Sequence, residues 1–218
     1  WGSNLFTWKA NPLLSANDVE EARKAMSRAM FAQEYECEWT TTEDQVYNTL
    51  NEETHIGEFI GERFIEVIAG LDVGYRDENV FVVIGTNGKE YWVIDEFISK
   101  ESTTSELADN IKEKIDEWNI DNIYIDSAAQ QVKADFAYDY DIYCENAIKS
   151  VNDGIASVQV LFFDVEGAAH TFAAMSSYKW NPNTEKPKPI HDWCSHPSDA
   201  VRYAIYTHQK MSNISIYA

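Results

Sequence analysis

The sequence predicts an α/β protein built on a mixed sheet, three antiparallel strands followed by parallel ones, with helices on its faces. Three observations carry that reading. Apolar runs at 66–73, 80–85 and 91–97 follow one another across short breaks, and Asn87-Gly88 between the second and third is a hairpin signal. From residue 104 onward, stretches of helical period alternate with short apolar runs, the pattern of strand–helix crossovers. With 218 residues, 44% of them hydrophobic, the chain can bury the core such a sheet requires.

In order, Ser15 or Asn17 offers an N-cap to a helical stretch at 19–31, and a break at Thr40-Thr41-Thr42 precedes a short helix expected over 44–50. Residues 1–60 read as a linker or tail whose aromatic residues pack back on a main domain at 61–218. The three antiparallel strands open that domain. A helix over 104–118 follows, with Leu107, Ile111, Ile115 and Trp118 on one face. A strand at 122–126, a helix at 128–138, a short strand near 142–146 and a helix at 153–165 continue the alternation. Residues 178–190 hold three of the five prolines and read as a projecting hairpin or loop; a closing helix is expected over 198–209, with Asp199 in its first turn.

The chain begins at Trp1, which reads as a fragment or processed product, and Gly2-Ser3 resembles a cloning scar. No stretch approaches the roughly 20 apolar residues of a membrane span, and an intracellular, reducing setting is expected. Cys37, Cys144 and Cys194 are odd in number and not in CxxC pairs, which argues against a disulfide framework. His191, Cys194 and His196 lie close together but lack a second Cys/His pair at finger spacing, so a structural zinc is not indicated. The net charge of -20 opposes tight binding of nucleic acid, whose partners carry clustered Lys and Arg. Basic residues near the candidate site are sparse: Arg76, Lys133, Lys149, Lys179, Lys186, Lys188 and Arg202.

Three aspartates sit where chemistry is built. Asp72 ends the apolar run Val67-Ile68-Ala69-Gly70-Leu71, Asp126 ends Asn122-Ile123-Tyr124-Ile125, and Asp199 opens the closing helix. Carboxylates at two strand ends with a third on a nearby helix suit hard divalent cations, which take oxygen ligands. A metal-dependent enzyme cleaving phosphodiesters is the leading reading. Each aspartate also has an ordinary role open to it: a turn for Asp72, an N-cap for Asp126, a helix-dipole partner for Asp199. His196, three residues before Asp199, is a candidate base, metal ligand, phosphate contact or helix-capping histidine. Asp192 is an additional candidate ligand, Lys149 a candidate for neutralising a scissile phosphate, and Arg202 a partner for a carboxylate. Tyr75-Arg76-Asp77 reads as a turn beside Asp72.

Gly70-Leu71-Asp72-Val73-Gly74, Tyr124-Ile125-Asp126-Ser127-Ala128, Ala147-Ile148-Lys149 with Asp153-Gly154-Ile155, Tyr178-Lys179-Trp180 and His196-Pro197-Ser198-Asp199-Ala200-Val201-Arg202-Tyr203 together resemble the nuclease domain of bacteriophage large terminase subunits, in order and spacing across roughly 66–208. Gln33-Glu34-Tyr35-Glu36 resembles the stretch that joins the ATPase motor of that family to its nuclease, and no GxxxxGK[ST] phosphate loop is present. The resemblance implies a ribonuclease-H-like fold and endonucleolytic cutting of concatemeric double-stranded DNA during viral genome packaging. It puts Asp72, Asp126 and Asp199 on metal-binding positions, for two Mg²⁺ or Mn²⁺ ions about 4 Å apart. It assigns His196 to the catalytic group and makes Lys149, Arg76, Lys179 and Lys188 candidate DNA contacts. The implied partners are the small terminase subunit and the portal protein, met through the full-length chain in the host cell cytoplasm, with the fragment itself monomeric.

Rival readings are weaker. Actin-like kinases share the DxG but need glycine-rich phosphate loops that are missing from nine scattered glycines, and proofreading exonucleases want an acid where Gly74 stands. A Holliday-junction resolvase and a non-catalytic packaging adaptor remain as alternatives.

Overall fold

A computed structural model describes residues 7–11, 14–25, 31, 35, 44–57, 64–74, 77–158, 161–164, 166–184 and 187–215. Arg76, Lys186, Cys37 and the Gln33, Glu34 and Glu36 positions of the linker motif lie outside them. Seven strands form one sheet: β1 (Ile56–Gly57), β2 (Glu66–Asp72), β3 (Glu78–Thr86), β4 (Tyr91–Lys100), β5 (Asn122–Ile125), β6 (Glu145–Asn146) and β7 (Leu161–Asp164), in the order β1-β7-β4-β3-β2-β5-β6. The β2-β3-β4 meander is antiparallel and every other pairing is parallel, as expected. Its second turn is set by Asn87, whose Oδ1 accepts from the Lys89 and Glu90 amides, and by Gly88 at φ 86°, a backbone region glycine enters without steric cost.

Alternation along the strands sorts the core into two layers. Ala69, Leu71, Phe81, Val83, Ile123 and Ile125 face α3 (Thr104–Trp118) and α4 (Gln130–Asp139). Ile68, Val80, Val82, Ile84 and Tyr124 face the opposite layer, made of α5 (Val151–Ser157), α6 (Ala169–Ser177) and α7 (Ser195–Ser215). Helix α3 begins with a capping box in which Thr103 and Glu106 satisfy each other's backbone amides. Among the described residues, the α-helices α1 (Ala16–Ala25) and α2 (Glu52–His55) precede the sheet.

Several expectations are corrected. The helix expected over 153–165 ends at Ser157, and Leu161-Phe162-Phe163-Asp164 becomes β7, wedged between β1 and β4. So short a run, three apolar residues and an aspartate, has no period that separates strand from helix. Helix α6 carries no local start signal, because its N-cap, Ala168, has no capping side chain. Glu96 of β4 caps it instead, accepting from the His170 and Thr171 amides at 2.8 Å each and from the Thr171 hydroxyl. Residues 44–50 make turns rather than a helix, because Val46 donates to the Tyr178 carbonyl and Trp180 to that of Asp44, so tertiary pairing takes groups a helix would use. The strand near 142–146 is only the two residues of β6. In the described part of 178–190 the expected hairpin forms, with Trp180 paired to Pro189. Residues 45–57, read as part of the tail, lie against the sheet: Val46 and Tyr47 join the core, and Ile56–Gly57 adds the edge strand β1.

Candidate active site

The geometry that builds the site is a match of repeats. Ile68, Gly70 and Asp72 share one face of β2, and His196, Ala200 and Ala204 share one stripe of α7, four residues apart. Two residues of strand span about 6.6 Å and four of helix about 6 Å, so the two rows stay in step. Gly70 meets Ala200, and Asp72 therefore meets His196. The approach is close: a Cβ on Gly70 would lie 1.9 Å from the Ala200 carbonyl oxygen and 3.2 Å from the Ala204 Cβ. Glycine at 70 lets the backbone of α7 rest on the strand, and Asp199, beside Ala200, arrives at the strand's carboxylate end.

Each aspartate is held by its own partner. Asp72, 8% exposed, accepts from Nδ1 of His196 at 2.8 Å. Asp126 follows β5, its amide bonded to the Leu71 carbonyl, so it emerges beside Asp72 on the neighbouring strand. Its Oδ1 lies 2.6 Å from Lys149 Nζ and accepts from the Ala128 amide, while Oδ2 accepts from the Tyr203 hydroxyl at 3.4 Å. The side chain thus shapes a turn rather than capping α4, whose N-cap is Ala129. Asp199 Oδ1 lies 2.7 Å from Nη2 of Arg202, a side chain buried against Gly154 of α5 and hydrogen-bonded to the Ser150 carbonyl. A Cβ on Gly154 would lie 2.6 Å from the Arg202 stem, so this glycine leaves room for the arginine that orients Asp199.

Helix α7 starts at Ser195, three residues earlier than expected, so Asp199 is in its second turn and the dipole role falls away. Pro197 occupies the first turn, where its missing N–H costs no hydrogen bond.

The electrostatics fit a cation site. Burial pushes the Asp72 carboxyl up, the His196 hydrogen bond opposes it, and Asp199 and Asp126 push it further by repulsion. Asp126 is lowered overall: burial acts to raise it, but Lys149 and the Ala128 amide prevail. Burial and the three carboxylates push the Tyr203 phenol up, keeping it a donor. Buried like charges that repel one another are what a bound dication relieves. Among the described residues, the three carboxylates do not form a set with oxygens all within 4.8 Å of one another; each is held instead by its own basic partner.

Of the other anticipated residues, Lys149 is in the site, Lys179 and Lys188 lie on the 178–190 hairpin, and Asp192 caps the turn into α7 by accepting from the Cys194 amide. Sequence reasoning did not single out Tyr203, Tyr47 or the glycine fit at 70 and 154. The hairpin residue Tyr178 and Tyr47 stack with centroids 6.4 Å apart near Arg202 and Asp199, which influence the ionisation of both phenols.

The Asp72–His196 pair makes stability pH-dependent. His196 is raised, first by the hydrogen bond to Asp72 and against the pull of burial, and Asp72 is raised by burial. Both shifts mean the folded chain holds its protons more tightly than the unfolded one. The contribution of His196 is therefore fully present below the unfolded value of about 6.5 and is lost as pH rises through the higher folded value. In chelator, the melting temperature is expected to fall as the pH rises above about 6.5, with a shallower fall in His196→Gln. Equal slopes for the two proteins would contradict this.

No protein-family model matches the chain. The large terminase subunit of Escherichia phage T5 is 36% identical over 226 residues, covering 95% of this chain and 52% of that protein, so the chain spans about half the length of the curated relative it matches. The large terminase of a thermophilic bacteriophage superimposes with a TM-score of 0.67 at 19% identity, covering 94% of this chain and 55% of that one. The g2p large terminase nuclease domain of bacteriophage SPP1, solved with bound Mn, superimposes with a TM-score of 0.56 at 22% identity, covering 69% of this chain and 94% of that domain. The chain belongs to the phage large terminase subunits, and the fold described above is that of their ribonuclease-H-like nuclease domain.

Proposed function

We propose that this chain is the metal-dependent endonuclease portion of a DNA-packaging terminase, cutting concatemeric viral double-stranded DNA by hydrolysis of a phosphodiester. The observation that supports it most is the convergence of Asp72, Asp126 and Asp199 at one end of two adjacent strands and the helix docked on them. The names of the relatives agree with it.

Two Mg²⁺ or Mn²⁺ ions would supply an activated water and charge stabilisation for the leaving 3′-oxygen. Asp72, the most buried of the three carboxylates and the one that feels both others, would hold these ions together with Asp126 and Asp199. His196, fixed by Asp72 through Nδ1, is poised to carry a proton at Nε2. Lys149, its side chain 43% exposed and paired with Asp126, swings to a phosphate oxygen when DNA arrives. Tyr203 keeps Asp126 oriented. The small terminase subunit, the portal and the rest of the full-length chain are the partners of this activity in the host cytoplasm; among the described residues no helix is long and apolar enough to cross a membrane.

Supercoiled plasmid incubated with the chain is expected to give nicked and linear forms in Mg²⁺ or Mn²⁺ and nothing in excess EDTA, with Mn²⁺ at least as effective because it tolerates irregular octahedra and binds more tightly. Persistent nicking in EDTA, or preferential cutting of four-way junctions, would overturn the reading. No cleavage and no heat on Mn²⁺ titration would leave an adaptor in its place.

With a net charge of -20, the isolated chain should hold duplex DNA weakly, since few Lys and Arg can release counterions. In fluorescence anisotropy, the Asp126→Asn protein at near-physiological salt is expected to show a Kd above about 1 μM, within the non-specific range. Submicromolar affinity would point instead to a basic groove built from Lys149, Lys179 and Lys188. Weak binding is workable if the packaging assembly supplies local concentration.

A further inference from the structure

Beside the three carboxylates, on the far side of His196, the structure gathers a second set of donors. Asp77, His191 and His196 bring one ligand atom each within 4.8 Å of one another. Their side chains line a cleft of about 210 Å³ that Trp193 and Glu78 help to wall. We infer that Asp77, His191 and His196 form a site for a transition-metal dication of the Zn²⁺ or Co²⁺ class, distinct from the oxygen-lined carboxylate site and joined to it by the His196–Asp72 hydrogen bond.

The tautomers support this. The Ser195 hydroxyl lies 2.6 Å from the Asp192 carbonyl, which can only accept, so its one hydrogen is spent there. The same hydroxyl oxygen is 3.0 Å from Nδ1 of His191 and must accept from it. Nδ1 therefore carries the proton, and the lone pair of His191 is on Nε2. In its neutral form His196 is fixed in the same sense: its Nδ1 faces a carboxylate, which accepts, and Nε2 keeps the lone pair. Two imidazoles whose Nδ1–H groups are tied to hydrogen-bond acceptors, each offering a ligand atom within 4.8 Å of the other's and of Asp77's, have the outer-shell arrangement of metal-binding histidines. The rings stand at 72° with centroids 5.4 Å apart, so they converge edge to face rather than stack.

Ligand chemistry selects the ion. Two imidazole nitrogens and one carboxylate oxygen suit Zn²⁺, Co²⁺, Ni²⁺ or Fe²⁺ and leave coordination positions open, whereas Mg²⁺ prefers oxygen and keeps its waters. Cys194 is the sulfur that sequence spacing places beside these histidines, but its thiol is buried, pushed up to about 12, and its place is taken by Asp77 from the β2–β3 turn. An ion held by Nε2 of His196 occupies the lone pair that the proposed nuclease reaction would use as a base. Zinc-class ions would then oppose the magnesium-supported reaction through His196, beyond any competition at the carboxylates.

The test uses the whole chain stripped of metal and titrated with Co²⁺, followed by its visible absorption, then with Zn²⁺ in competition by calorimetry. A nitrogen-ligated Co²⁺ band is expected, apart from any Co²⁺ taken up by the three carboxylates, with an affinity weakened at least about tenfold in His191→Gln and in Asp77→Asn; the band persists in Asp199→Asn, which removes only a carboxylate-site ligand. His191 and Asp77 are both exposed, and melting curves on each variant check that the fold is kept. Absence of Co²⁺ binding at neutral pH, or binding lost in Asp199→Asn and kept in His191→Gln, would overturn the assignment. These readouts do not depend on cleavage, so they stand apart from the nuclease assay. If that assay succeeds, micromolar Zn²⁺ is expected to inhibit Mg²⁺-supported nicking in the unaltered chain and to lose most of that effect in His191→Gln.

Discussion

Gly70→Ala is expected to destabilise the chain by about 3 kcal/mol, lowering the melting temperature by roughly 6–12 °C, and to remove most nicking activity at temperatures where the variant is still folded. The added methyl would lie 1.9 Å from the Ala200 carbonyl oxygen and 2.8 Å from its carbon. Those are backbone atoms of a long helix, so no side-chain rotation relieves the clash and α7 must lift from β2. The gain from restricting the unfolded chain, about 0.4–1 kcal/mol for Gly to Ala, does not offset it. Activity should suffer beyond stability because Asp199 and His196 ride on the displaced helix while Asp72 stays with the sheet. A variant that melts within about 2 °C of the parent and nicks plasmid normally would show that the strand–helix approach does not position the site.

Asp72→Asn is expected to reduce metal-dependent nicking by at least about 100-fold while leaving the metal-free fold as stable or slightly more so. Asparagine keeps the shape and an oxygen that can accept from His196 Nδ1, but it removes the charge a dication needs. Without metal that charge is a burden: burial and the nearby Asp199 and Asp126 all push this carboxyl toward its neutral form. Melting in EDTA and plasmid nicking in Mn²⁺, run on the same preparation, separate the two effects. Near-normal cleavage would remove Asp72 from the ligand set.

The parts of the fold legible in the sequence are those whose instructions are local. The β2-β3-β4 meander has its alternation and its Asn87-Gly88 turn, and α3 has its capping box and apolar face. Helix α6 is hidden because the group that starts it, Glu96, is 74 residues away from the amide of His170. Strand β7 is hidden because three apolar residues before Asp164 carry no period. The site divides in the same way. Asp72, Asp126 and Asp199 are legible because strand ends and a helical motif frame them. Lys149 is legible as a basic residue following a short strand, though its pairing with Asp126 is not. The convergence of Asp77 with His191 depends on how the β2–β3 turn meets the loop before α7, which no local pattern encodes. Gly70 and Gly154 are visible as letters of a motif, but their reason, the closeness of Ala200 and Arg202, belongs to packing.

The docking of α7 on β2 also sets when the protein can act. Asp72 ends one strand and Asp126 follows the neighbour that pairs with it directly, yet His196, Asp199, Arg202 and Tyr203 all belong to a helix that follows every strand of the sheet in the chain. Contacts across so long a separation carry a large loop-closure cost and form late. A partly folded chain, or one clipped ahead of residue 195, would hold two carboxylates of the three and lack His196. Under the proposed function such a species is inert, so damage to α7 silences the enzyme rather than releasing an uncontrolled one, and limited proteolysis that removes α7 should abolish nicking before the sheet unfolds.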